Sequence, residues 1–210
     1  MPVDRVDRLP DARRRLLVRT AVREFATAGY EAASLNRIIR ACGMSKSSFY
    51  HFIPSKQALF DLVVRDLGHA LVAALRIPDP HGFAGDQFWP RVETLLDRLA
   101  ELSAADDRFV QLGRMFYLSG APTDESSAVS EALGSIESWL HAVLTVGRGS
   151  KAVRDDLPIS LQSRLVFAVL RALDEWTLLH GDAYEPADLE RLIRAEYDTL
   201  QRMLRPDPRP

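Results

Sequence analysis

Apolar residues recur every three to four positions along almost the whole chain, and that period builds helices. Alternating Val, Ile and Thr runs between hairpin turns, the mark of strands, are scarce. The expected fold is therefore all-α, with about nine helices. Length sets the scale: 210 residues are enough to bury a sizeable core. The longest apolar runs, such as Leu165 to Leu170, are far shorter than the roughly 20 residues of a membrane span. The first residues mix acids and arginines without an apolar stretch, unlike a secretory signal. With Cys42 as its single cysteine, the chain forms no internal disulfide. These features fit a cytoplasmic protein without a membrane partner.

Charge is unevenly spread. Residues 1–56 carry eleven Lys and Arg against five Asp and Glu, whereas the remainder carries 16 against 24. A basic end on an acidic body suggests that one end meets a polyanion. A chance cluster of surface arginines would look the same, so local pattern has to decide.

The first helix is expected from about Asp11 to Ala28. Leu17, Ala21 and Phe25 form its buried face, Arg15, Arg19 and Arg23 its outer one, and Gly29 its end. Ser34 caps a short second helix with Leu35, Ile38 and Ile39 inward. Gly43 turns the chain, and Ser45 caps another short helix through about His51. Pro54 stops that one, and a long helix spans 55–77, ending before Pro78. The segment Ile77–Gly85, with two prolines and two glycines, is the best domain boundary. Five more helices are expected: Asp86–Leu102, Asp106–Leu118, Glu125–Val146, Ser160–His180 and Pro186–Leu204. The tail Pro206–Pro210 reads as disordered.

The informative element is the helix from Ser45 to Phe52. Ser45, Ser48, Phe49 and Phe52 share one face, and two phenylalanines turn that face inward. Lys46, Ser47, Tyr50 and His51 make the opposite face, and each of them can hydrogen-bond. Lysine donates to guanine O6 and N7, serine serves either base type, and tyrosine and histidine reach phosphates. With the preceding helix and the glycine turn, this is helix-turn-helix geometry suited to a major groove.

The stretch Arg13–Val64 resembles the DNA-binding domain of the TetR family of bacterial regulators. Its most specific parts are the F-x-x-x-G-Y of Phe25, Gly29 and Tyr30, the C-G-M-S turn, and the F-Y-H-F-x-x-K ending at Lys56. The resemblance implies a three-helix DNA-binding domain at 1–56, a connecting helix at 55–77, and a regulatory and dimerisation domain at 78–210. It assigns Ser34, Tyr50, His51 and Lys56 to phosphates. Lys46 and Ser47, with Ser48, would read base edges. Ser45 would cap the recognition helix and touch a phosphate, and Asn36 and Arg37 lie within reach of DNA. The family usually has threonine at Ser34 and alanine at Ile39 and Cys42. Cys42 reads as a small buried hydrophobe, with a redox-sensing thiol as the alternative.

The resemblance further implies a homodimer on a palindromic operator, most often a repressor released by a small-molecule ligand. Leu165, Val169, Ala172, Leu173 and Trp176 form one candidate interface stripe, and Leu189, Leu192, Ile193, Tyr197 and Leu200 another; intramolecular core is the competing reading. Trp89, Met115, Phe116, Trp139 and Phe167, with the polar Arg114, His141 and Arg171, are candidate ligand contacts, against ordinary packing and surface ion pairs. No cofactor or metal site is expected: there is no H-x-x-x-H pair and no C-x-x-C. An enzyme is a remote alternative, since G-x-S-x-G is missing and the GRGSK at Gly147–Lys151 lacks the P-loop pattern. A DNA-binding dimer with no inducer, constitutive or governed by a protein partner, is the nearer one.

Overall fold

The computed structural model describes residues 9–117 and 120–206. Met1–Arg8, Leu118 at the expected end of a helix, and residues 207–210 of the expected tail lie outside them. Every regular element among the described residues is helical: α1 Asp11–Ala32, α2 Leu35–Ala41, α3 Lys46–Phe52, α4 Lys56–Leu75, α5 Phe88–Ala105, α6 Asp107–Phe116, α7 Ala128–Gly149, α8 Ile159–His180 and α9 Pro186–Leu204. Short 3-10 turns at Pro80–Phe83, Gly85–Gln87 and Gly181–Ala183 complete the set. The chain divides into two compact units. One holds the residues up to Leu71 together with Asp106–Ala132, the other Val72–Ala105 with Leu133–Pro210.

In the first unit α1 buries Leu17, Val18, Ala21, Val22 and Phe25, while Arg15, Arg19 and Arg23 face solvent. Its regular path breaks at Gly29, whose φ of 76° is left-handed and open to glycine at little cost. Phe25, Tyr30 and Phe60 then form an aromatic cluster. Phe25 meets Phe60 edge-on at 5.1 Å, and Tyr30 meets Phe60 at 5.2 Å. This cluster fixes the start of α4 against the end of α1. α6 packs along α1 and buries Leu112 and Met115.

α4 also organises the segment before α7. Gln57, Asp61 and Arg65 recur every four residues on one face. Gln57 donates to Asp124 at 3.1 Å, and Arg65 pairs with Glu131 at 3.2 Å. Asp61 accepts the Ala128 amide at 2.9 Å, capping α7 from a distant helix. Ser127, whose hydroxyl accepts the Ser130 amide at 3.2 Å, is the local cap, and the two together start α7 at Ala128 rather than Glu125. Burial pushes the Asp61 carboxyl above its ordinary range, partly opposed by the Ala128 amide hydrogen bond.

The second unit is built on Phe83, Phe88, Leu140, Val143, Leu144, Val153, Val166 and Leu204. Gly147 lets α7 approach this core closely. A methyl group there would sit 2.4 Å from Phe88 and 2.7 Å from Val153. The GRGSK run is thus the end of α7 and its turn: Arg148 donates to the carbonyls of Asp155 and Leu157, and Lys151 takes a left-handed φ of 64°. The expected helix start at Asp86 moves to Phe88 because Gly85, at φ 63°, opens a second 3-10 turn two residues after the first ends at Phe83.

Candidate nucleic-acid interface

α2 and α3 are joined by a turn whose geometry follows from its residues. Gly43 takes φ 60°. Its amide donates to Arg40 at 3.1 Å, and the Met44 amide donates to Ile39 at 3.1 Å. This paired closure is a Schellman ending, which a left-handed glycine makes inexpensive. Ser45 then accepts the Ser48 amide at 3.1 Å, so α3 starts where the turn stops.

α3 has only seven residues and could not persist alone in water. Phe49 and the following Ile53 hold it, both fully buried. Phe52 and Ser48 are half-buried. With that keel inside, Lys46, Ser47, Tyr50 and His51 stand exposed. Tyr50 keeps 45% of its surface in water while its ring meets Phe49 edge-on at 5.3 Å. A phenol braced in this way presents its hydroxyl at low entropic cost.

α2 supports this face and is itself clamped. Ser34 caps it, accepting the Arg37 amide at 3.4 Å. Glu24 of α1 accepts the Ser34 amide at 2.8 Å and Arg37 Nε at 2.9 Å. The guanidinium holds the Glu24 carboxyl below its ordinary range, against a smaller opposing effect of burial. Arg37 is exposed, yet its head group is engaged by Glu24. Asn36 is exposed, and Ser34 half-buried.

Lys56 is held by the chain itself. Its ammonium donates to the carbonyls of Tyr30 and Glu31, at 3.0 and 2.9 Å, and lies 5.3 Å from the centre of the Tyr30 ring. It therefore closes the end of α1, where a cation meets carbonyls lacking helical partners. One of its three N–H groups stays outside these two bonds. Cys42 is half-buried, and burial pushes its thiol up, with a hydrogen bond to Thr20 partly offsetting. A thiol held protonated is a poor nucleophile.

This is a helix-turn-helix with a polar outward row on its second helix. The family model described as "Bacterial regulatory proteins, tetR family" matches residues 17–63. The HTH-type transcriptional repressor Rv1474c of Mycobacterium tuberculosis is 39% identical over 150 residues, covering 70% of this chain and 72% of that protein. The chain belongs to the TetR family. The uncharacterized HTH-type transcriptional regulator YuxN of Bacillus subtilis is 42% identical over 45 residues, which span 21% of this chain but only 16% of that protein. The crystal structure of the transcriptional regulator FadR from Bacillus subtilis in complex with stearoyl-CoA superposes with a TM-score of 0.65. The match covers 90% of this chain and 98% of that one at 15% identity, so the likeness is one of fold. Like its TetR relatives, the chain is a DNA-binding transcription regulator; control of transcription, not catalysis, is the family's activity.

The C-terminal candidates scatter. Arg114, Met115 and Phe116 lie on α6 in the first unit, with Met115 fully buried. Trp89, Trp139, His141, Phe167 and Arg171 lie in the second unit. There Trp89 donates its indole N–H to Ala152 at 3.1 Å and Trp139 to Pro78 at 3.2 Å. Trp89, Trp139 and Phe167 pack on the core. His141 is exposed and bonded to Ser163 at 3.1 Å. For Trp89, Met115, Trp139, His141 and Phe167 these are roles in packing and bonding within each unit.

The two apolar stripes also differ. On α8, Leu165 and Trp176 remain 44% and 40% exposed, with Leu161 and Leu179 beside them. Ala172 is exposed, and Val169 and Leu173 are half-buried. On α9, Leu200 is buried and Tyr197 meets Trp89 edge-on at 6.2 Å, so both serve the chain's own core. Leu189, Leu192 and Ile193 are half-buried. No described helix is long and apolar enough to cross a membrane.

Proposed function

We propose that this regulator is a homodimeric repressor that holds a palindromic operator until a small-molecule ligand releases it. The observation that carries the DNA part is the exposed row Lys46, Ser47, Tyr50 and His51 on a helix locked from behind by Phe49. Lys46 and Ser47, with Ser48 beside them, read base edges. Ser34, Ser45, Tyr50, His51 and the free N–H of Lys56 hold phosphates, with Asn36 at the margin. Arg37 contributes mainly by holding α2 in place through Glu24.

Two copies paired through the apolar face of α8 bring two recognition helices to one palindrome, whose half-sites lie about one DNA turn apart. The operator half-sites are then read together. A repressor relative supports the direction of control, and a fold neighbour in complex with stearoyl-CoA supports response to a ligand. Such a ligand releases the operator only if it binds the released state more tightly. A coupling of about 3 kcal/mol weakens operator binding on the order of 100-fold. Control by a protein partner, or none, is the second reading, favoured by the engagement of Trp89 and Trp139 within the core.

The test is a selection of genomic DNA fragments by the purified protein, repeated with Lys46→Ala and Tyr50→Ala. The expected result is a palindrome that both variants lose. No enrichment at any salt concentration would overturn the operator reading. A palindrome that no small molecule releases would move control to the second reading.

A further inference from the structure

The second unit carries a surface cleft of about 300 Å³ that neither the DNA-binding face nor the aromatic candidates explain. It lies between the chain leaving α4 and the first turns of α5. Leu75 and Leu95 supply apolar wall, and Arg76, Arg91 and Arg98 supply charge. Arg91, Thr94, Leu95 and Arg98 follow the i, i+3, i+4, i+7 spacing of one helix face, so one side of α5 presents both guanidiniums together. Arg76 adds a third from the other wall.

None of the lining residues is acidic. That stands out because residues 57–210 hold 24 acids against 16 bases. No hydrogen bond or ion pair engages the three guanidinium groups among the described residues. The head of Arg91 is located against the 3-10 turn, 3.5 Å from where a methyl group on Gly82 would stand. Arg76 sits at φ 49°, a left-handed conformation that glycine would adopt at less cost. What arginine adds at that position is its side chain, and Arg76 is among the residues that line the cleft.

We propose that this cleft binds a small organic oxyanion, a phosphate or a dicarboxylate carried on an apolar body. Guanidinium forks match both oxyanions in bidentate geometry, and the leucines cover the carbon skeleton. The volume is at the lower end of the range for small-molecule sites. Its regulatory role rests on the ligand-released repressor reading; the binding itself does not.

The experiment is calorimetric titration of the full-length protein with phenyl phosphate, phenylsuccinate and inorganic phosphate at matched ionic strength. Wild type is compared with the double variant R91Q/R98Q and with K46A, each checked for folding by thermal melting. The expected result is a Kd below about 1 mM for one of the phenyl compounds. Inorganic phosphate should bind more weakly than phenyl phosphate. R91Q/R98Q should weaken binding by about tenfold or more, and K46A should leave it unchanged. Which phenyl compound binds separates phosphate from carboxylate. Unchanged binding by R91Q/R98Q, loss in K46A, or no binding of either compound would overturn the proposal. Operator affinity measured alongside separates the two readings. A different small molecule that still releases the operator from R91Q/R98Q would keep the repressor reading and remove this cleft from it.

Discussion

α3 and α8 both leave one face in water, and the two faces are chemically opposite. α3 exposes Lys46, Ser47, Tyr50 and His51 over a phenylalanine keel. α8 exposes Leu161, Leu165, Trp176 and Leu179, while its inward face buries even the polar Gln162 and Ser163. A face of donors in water costs little and suits a hydrated polyanion. A face of leucine and tryptophan is unfavourable in water and suits another apolar face. Amphipathicity alone says that a helix packs; which side faces water tells what the helix waits for.

The strongest way to break this comparison is to charge the apolar face. Leu165→Glu should convert a dimer to monomers in analytical ultracentrifugation. Operator binding should then fall on the order of 100-fold, because half-sites are no longer held together. A wild-type protein that sediments as a monomer would remove the pairing role from α8.

Lys46→Ala tests the polar face. Affinity should drop by about 1–3 kcal/mol, with preference relaxed at one base position in a binding-site selection. A uniform loss over all sequences would move Lys46 from bases to phosphates.

Lys56→Ala sharpens the boundary between binding and folding. Loss of its two carbonyl contacts should lower stability by about 1 kcal/mol. If its remaining N–H meets a phosphate, the salt slope of DNA binding falls by about one per subunit. A stability loss with an unchanged slope would make Lys56 a helix cap alone.

Glu24→Gln should have a smaller effect and a pH signature. The folded carboxyl is held below its ordinary 4.5, so its stabilisation is complete above that pH and is lost as pH falls through the lowered value. Acid melting curves of wild type and variant should therefore converge at low pH and separate above it. Parallel curves would mean that the pair with Arg37 adds nothing.

Much of the burial pattern of α3 was legible in the sequence. In a helix of two turns Phe49 turns inward and Lys46, Ser47, Tyr50 and His51 turn outward, while Ser45, expected on the inward face, is exposed as the cap; Gly43 and Ser45 mark where the helix starts. Long-range partnerships left no such trace. Nothing local says that Arg37 meets Glu24, that Lys56 reaches the end of α1, or that Asp61 caps α7. Those depend on where distant backbone comes to rest. The placement of α6 against α1 is of the same kind, and it takes Met115 into the first unit's core. Trp89 and Trp139 looked like cavity walls because bulk was visible and their indole acceptors were not. Helix starts at Phe88 and Ala128 shifted for more local reasons, one through a pair of 3-10 turns around Gly85 and one through a cap at Ser127 that Asp61 of α4 supplements.

Gly147 carries a lesson for anyone engineering this protein. Replacing helix glycines with alanine is a common route to thermostability, since alanine restricts the unfolded chain. Gly134, on the same helix, has nothing within 4 Å of a new methyl group. Gly134→Ala should raise stability by about 0.5–1 kcal/mol in a melting experiment. Gly147→Ala should lower it by about 1–3 kcal/mol, because the methyl would meet Phe88 and Val153. One helix thus holds an open site for improvement and a closed one thirteen residues away, and a scan that treats glycines alike would hide the gain at the first behind the larger loss at the second.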